Sequence, residues 1–215
     1  GRGLRGETAE EVVSRYGHPR EEMDAYALES HMRAKRAIES GFLARQIAPI
    51  QLKEKAGPRL FSHDEYPRFE THAGKLAALK PALRAGGRVT AGNSSGVTDG
   101  AAAVLVADRE AAARAGIEPL VRVVAFATAG VPPEIMGVGP VPATRKLLER
   151  CRLTVEDIDY FEINEAFGAQ VMACMRALEI PRDKLNVNGG AIAIGHPLGA
   201  TGVRLTVTVA RELQR

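Results

Sequence analysis

Residues 186–202 read NVNGGAIAIGHPLGATG, with five glycines around a single histidine. Glycine inside a helix or strand costs roughly 0.5–1 kcal/mol relative to alanine. So dense a run marks backbone that turns sharply or approaches a neighbour closely. Ahead of it, Leu185-Asn186-Val187-Asn188 reads as a strand entry. Behind it, GVRLTVTVARELQR (202–215) reads as a helix whose Val203, Leu205, Val207, Val209 and Leu213 could face a core. His196 stands at the crest of the loop, and Pro197 biases it toward an extended conformation. The positive end of the helix that follows favours a neutral imidazole, the form a base near pH 7 needs. The layout presents the imidazole to a ligand. A hydrogen-bonded core histidine among packing glycines is the competing reading.

A second stretch, FEINEAFG (161–168), favours presentation. Its apolar half reads as a strand, and NEAF falls where that strand ends and a helix begins. In open α/β sheets ligands bind beyond the carboxyl ends of strands. His196 follows the next strand, so Asn164 and His196 are expected at one rim. An amide and an imidazole together can hold an oxygen that becomes negative during a reaction. Taken alone, Asn164 reads equally well as a helix cap.

Outward from these motifs the chain alternates strand-like and helix-like segments. VRVVAFATAG (121–130), IDYFEI (158–163) and KLNVN (184–188) are strands by β-branched content and length. TRKLLERCRL, EAFGAQVMACMRALE and the last segment are helices, so parallel βαβ units and an α/β fold are expected. Residues 7–40 read as helical, with Thr8 as a cap, Pro19 at the first turn of a second helix and Gly41 past its end. Met23, Tyr26, Ala27, Ser30, Ala34, Ala37 and Ile38 share one face of that helix. Residues 42–88, broken by Pro49, Pro58, Pro67 and Pro81, read as an irregular segment.

Composition sets the broad class. The chain has 215 residues, 45% hydrophobic and 26% charged, with a net charge of +3. Residues 1–97 carry 16 Lys and Arg against 12 Asp and Glu, an excess suited to a small anionic ligand. It is too weak for nucleic acid, which calls for a clustered basic face. No apolar run reaches the ~18 residues of a membrane span, and GRGLRGETAEE has no signal-peptide core. With two cysteines a disulfide framework is not expected and a reducing, cytoplasmic setting is.

Together with GNSSGVTDGAAA (92–103), these motifs resemble those of the thiolases, the acetyl-CoA acetyltransferases and 3-ketoacyl-CoA thiolases. TAEEVVSRYGHPREEMDAYALESHMRAKRAIESGF, DEYPRFETHAGKLAALKPAL and MGVGPVPATRKLLER follow in thiolase order, so the resemblance covers essentially the whole chain. It implies a partial thiolase-like α/β fold. Residues 1–97 would be a loop-domain portion covering coenzyme A, and residues 98–215 a C-terminal α/β domain lacking its last two strands. It implies thiolytic cleavage of 3-ketoacyl-CoA or Claisen condensation of acetyl-CoA, within fatty acid metabolism. Acyl-CoA would be the substrate, with no further cofactor and no metal. His196 would be the base that activates a nucleophilic cysteine, and Asn164 would hold the water that completes an oxyanion hole. Ser95 would lie along the pantetheine, Arg68 at the nucleotide end, and Leu79, Leu83 and Ala91 against the cofactor. Ala166 and Phe167 would line the acyl site. A homo-oligomer, dimer or tetramer, is implied as well, with no nucleic-acid or membrane partner.

Thiolases use two cysteines, one acylated and one in a CxGGG segment. Cys151 and Cys174 are the chain's only cysteines, and both fall at core spacing on helices. Both therefore read as small buried hydrophobes. The acylated cysteine is expected before residue 1 and the CxGGG segment after residue 215, which makes the chain alone inactive. Leu4 and Arg5 stand where thiolases often carry histidine and methionine. A non-catalytic acyl-CoA-binding module is the second reading. A nucleotide-binding domain is the third, and it lacks both GxxxxGK[ST] and GxGxxG.

Overall fold

The computed structural model describes residues 4–215, and of Leu4 and Arg5 only the backbone, so the departure read at those two positions lies outside the described side chains. Helix α1 spans Leu4–Tyr16. Thr8 is therefore inside the helix and not its cap. The helix passes through Gly6 because space there is taken: a Cβ would lie 2.3 Å from the Leu83 side chain. Helix α2 spans Arg20–Glu39, with Pro19 as its N-cap and Gly41 at φ +74° past its end. Met23, Tyr26, Ala27, Ser30, Ala34 and Ala37 are buried as the spacing predicts, and Ile38 is half-buried.

The segment read as irregular holds more order than its prolines suggest. Strands β1 (Ile50–Glu54) and β2 (Gly57–Phe61) form an antiparallel hairpin around Lys55-Ala56. A short α3 (Ala73–Ala77) follows, and the His72 ring accepts the Lys75 N–H at its start. Beyond it come α4 (Arg109–Arg114), capped by Asp108, and α5 (Pro140–Cys151), entered through a 3-10 turn at Pro133–Val138. Then follow α6 (Gly168–Leu178), the single turn α7 (Ala191–Ile194) and α8 (Thr201–Glu212).

The core is built around α6. Gly168 to Cys174 are all buried, enclosed by Ala9, Val12 and Val13 of α1, Met23 and Tyr26 of α2, Val138, Val141, Leu185 and Ile192. Helices α1 and α2 thus share one core with the helices of the second half.

The expected parallel sheet is reduced among the described residues to single rungs. Phe161 pairs with Leu185 in parallel, through Phe161 N–H to Lys184 O at 2.8 Å and Asn186 N–H to Phe161 O at 2.9 Å. Asn186 then turns to φ +47°. Its carboxamide replaces the next rung by accepting from Ile163 N–H at 2.9 Å and donating to Ile163 O at 2.8 Å. Residues 121–130 form no ladder, and Val123, Val124 and Phe126 are exposed. On α8 the buried residues are Thr201, Thr208 and Ala210. The residues expected to face a core, Val203, Leu205, Val207 and Val209, are only half-buried, and Leu213 is exposed.

Candidate active site

At Gly189, Gly190 and Gly195 the glycine-rich loop is shaped by neighbours that leave no room for a side chain. Gly190 lies against the buried Glu165, whose carboxyl carbon would be 2.4 Å from a Cβ there. Gly195 sits at φ +92° with Thr98 at 2.6 Å from a Cβ, a conformation only glycine adopts without strain. From there His196 N–H donates to Gly96 O at 3.0 Å, making one parallel rung between His196 and Val97. The loop is pinned from both sides before it delivers the imidazole.

Asn164 arrives from the other motif. Phe167 is the N-cap of α6, so Asn164 is not a capping residue. The strand-end position is held by Glu165, a fully buried carboxylate with four partners. It accepts from Tyr26 Oη at 2.9 Å, Ser30 Oγ at 2.7 Å, Asn186 Nδ2 at 3.1 Å and Ile192 N–H at 3.2 Å. Burial, reinforced by this carboxylate, pushes the Tyr26 phenol well above its usual range. With Glu165 turned inward, Asn164 turns outward.

Asn164 Nδ2 lies 3.4 Å from His196 Nε2. Asn164 Oδ1 is buried and has no hydrogen-bond partner among the described residues. On the far side of the ring, His196 Nδ1 is 2.7 Å from Thr201 Oγ1. Both side chains open on a cavity of about 280 Å³. Ala166, Phe167 and Gln170 line it beside them, with Thr8, Ala9 and Val12 of α1 and Met136, Gly137 and Pro140 opposite. The walls are apolar and the polar groups few, as in small-molecule sites. A larger cleft, about 350 Å³ beside Phe42 and Arg211, holds none of these groups.

The other predicted residues sit at graded distances. Ser95 donates its N–H to Ala166 O at 3.0 Å, with its hydroxyl 3.2 Å from the same oxygen. This ties the Ser94–Ser95 stretch to Ala166 and Phe167 without lining the cavity. Arg68 is exposed, with its guanidinium 5.8 Å from the Tyr66 ring centre. Tyr66 packs onto Gly96, where a Cβ would meet its ring and hydroxyl. Leu79 packs onto Gly92 in the same way. Leu83 is exposed beside Gly6, and Ala91 is exposed next to Gly92. Leu79 and Ala91 border the 92–97 stretch, Arg68 approaches it through Tyr66, Leu83 packs on Gly6, and none of the four lines the cavity.

Neither cysteine lines the cavity. Cys174 is buried in α6, and burial pushes its thiol up to about 11. Cys151, expected on a core face, ends α5 only half-buried. Among the described residues, no group of three or more His, Cys, Asp or Glu could hold a metal ion, and no helix is long and apolar enough to cross a membrane. Sequence reading missed Thr8 and Gln170 in the wall, and Thr201 behind the imidazole. For Thr201 the signal was present, a hydroxyl one helical turn after a proline in HPLGAT.

Residues 3–110 match the family model described as thiolase, N-terminal domain, and residues 117–215 that of thiolase, C-terminal domain. The chain is 49% identical over 212 residues to the acetyl-CoA acetyltransferase of Syntrophomonas wolfei, covering 98% of this chain and 53% of that protein. It is 50% identical to the 3-oxoadipyl-CoA/3-oxo-5,6-dehydrosuberyl-CoA thiolase of Escherichia coli, covering 97% and 53%. The crystal structure of the Bacillus anthracis acetyl-CoA acetyltransferase superposes with a TM-score of 0.95 at 50% identity, covering 98% of this chain and 53% of that one. Human mitochondrial 3-ketoacyl-CoA thiolase in complex with CoA gives 0.92 at 43% identity, covering 97% and 52%. The chain spans about half the length of the curated relatives it matches.

Proposed function

Because the chain belongs to the thiolase family and has a partial thiolase-like fold, we propose that the whole protein is an acyltransferase acting on acyl-coenzyme A. Its reaction is thiolytic cleavage of 3-ketoacyl-CoA, or Claisen condensation of acetyl-CoA in the reverse sense. The observation that carries this reading is the approach of Asn164 Nδ2 to His196 Nε2, 3.4 Å, at the mouth of an apolar cavity. His196 takes a proton from a cysteine thiol and returns it to the departing group. Its ring and a water held by the Asn164 carboxamide face the thioester oxygen as that oxygen gains charge. Arg68 serves the phosphates of coenzyme A with charge-assisted bonds. Ser95, Leu79, Leu83 and Ala91 border the cofactor, and Ala166 and Phe167 the acyl group. A homo-oligomer, a cytoplasmic setting and a role in fatty acid metabolism belong to the same proposal.

In the whole protein, His196→Ala is expected to lower kcat for acetoacetyl-CoA thiolysis by roughly 10²–10⁴-fold. Asn164→Ala is expected to lower it by about 10²–10³-fold. An unchanged rate in either variant removes that residue from the chemistry. Chain 1–215 by itself is expected to show no turnover, since neither of its cysteines lines the cavity. That same observation favours the second reading, an acyl-CoA-binding module without catalysis. Whole protein that binds acyl-CoA and fails to turn it over would support the module.

A further inference from the structure

An imidazole acts as a base only through the nitrogen that lacks the proton, so a base site must control which tautomer its histidine adopts. Thr201, the first residue of α8, is 4% exposed and lies directly behind His196. Its Oγ1 makes two contacts: 2.7 Å to His196 Nδ1 and 3.0 Å to the carbonyl oxygen of Pro197, one helical turn back. A hydroxyl has one proton to donate, and a carbonyl oxygen can only accept. If the Thr201 proton went to Nδ1, two oxygens would face each other at 3.0 Å with no proton between them. If it goes to Pro197 O, both contacts are satisfied, provided that Nδ1 carries a proton and donates it to Oγ1. The Pro197 carbonyl already closes the turn by accepting from Ala200 and Thr201 N–H at 2.8 and 2.9 Å. It is therefore a fixed acceptor at the end of the chain of bonds.

The opposite face of the ring agrees. Asn164 presents Nδ2, a donor, 3.4 Å from Nε2, and a neutral imidazole protonated at Nδ1 accepts at Nε2. The donors then run in one direction, from Asn164 Nδ2 to Nε2, from Nδ1 to Thr201 Oγ1, and from Oγ1 to Pro197 O. We infer that Thr201 is a positioning residue that sets the His196 tautomer, with the proton on Nδ1 and the lone pair of Nε2 facing the Asn164 amide at the cavity. The device is local: glycine at 195 delivers the ring, and the first turn of α8 supplies the hydroxyl that orders its protons.

This inference deepens the proposed function, but its first test does not depend on it. The whole protein is prepared with 15N-labelled histidine, and the His196 ring nitrogens are assigned by comparison with His196→Gln. Solution or magic-angle-spinning spectra of the neutral ring are expected to show Nδ1 protonated and Nε2 bare. Thr201→Val is expected to shift the population toward the Nε2–H tautomer, and Thr201→Ser to restore the wild-type pattern. A wild-type ring protonated at Nε2, or a valine variant with the wild-type pattern, overturns the inference. Should the valine variant fail to fold, the wild-type and serine spectra decide it alone, since both must show Nδ1–H. The second test uses the same protein. Thr201→Val is expected to lower kcat at least tenfold with KM little changed, and Thr201→Ser to recover it. A base held in the wrong tautomer can cost up to about 10⁴-fold. Correct spectra with an unaffected kcat would count against His196 as the base and leave the tautomer assignment standing.

Discussion

At the scale of single residues, Glu165 separates what the sequence shows from what only the fold shows. Asn164 and His196 were legible because each sits in a short motif whose layout points outward from a strand end. Glu165, between Asn164 and Ala166, gave no such signal. Its partners Tyr26 and Ser30 lie 139 and 135 residues away in sequence, and local spacing does not report such a convergence. A carboxylate that is fully buried and accepts four hydrogen bonds is safe only while all four remain. Glu165→Gln places an amide NH2 against groups that can only or preferentially donate. Denaturant melts of this variant are expected to show a loss of about 2–4 kcal/mol. An unchanged midpoint would mean that Glu165 is not what holds the NEAF turn. The same residue explains Gly190, since no side chain fits against the carboxylate.

At the scale of elements, the helices were legible and the pairings between strands were not. Periodicity located α2, α5 and α6 because each repeats its apolar face every three or four residues, whereas on α8 Val203, Leu205, Val207 and Val209 alternate and Thr201, Thr208 and Ala210 are the buried residues. The β1–β2 hairpin was hidden by Pro49 and Pro58 and by a Lys55-Ala56 turn that lacks the usual Asn-Gly signal. One contact between elements makes a pH prediction. Glu162, just before Ile163, lies 3.7 Å from Arg204 of α8, and their side chains are only 5% and 18% exposed. Burial pushes the Glu162 carboxyl up to about 8, and the Arg204 guanidinium offsets only part of that. The folded protein thus keeps a proton on Glu162 that the unfolded chain releases near the ordinary glutamate value. Between about pH 4.5 and pH 8 the unfolded state binds fewer protons, so stability falls as pH rises, by at most about 1.4 kcal/mol per unit. Glu162→Gln is expected to flatten this limb when melts at pH 5, 6.5 and 8 are compared with wild type. Parallel curves for the two proteins would place the pH dependence elsewhere.

At the scale of the whole molecule, the open question raised by VRVVAFA is what covers it. Its β-branched residues make it a strand by composition, but a strand is completed by neighbours, and composition does not say whether they are present. In the structure, Arg150 and Lys146 of α5 reach the carbonyls of Phe126 and Thr128 at 3.3 and 3.2 Å. These long cations tether the backbone and leave the side chains outward: Val123, Val124 and Phe126 are 69%, 68% and 75% exposed. Leu105 and Val106, in a second stretch without helix or ladder, are 80% and 78% exposed. Unpaired backbone flanked by apolar side chains is a template for association with another chain, and contiguous apolar patches on a surface mark sites of contact. Chain 1–215 in isolation is therefore expected to self-associate in light scattering and to melt broadly at low temperature. Leu105→Lys combined with Phe126→Lys is expected to return it toward a monomer, because both side chains are exposed and their replacement removes no core contact. A sharp monomer peak for the unsubstituted chain, with a cooperative melt above roughly 60 °C, would show that these surfaces are tolerated in water as they stand.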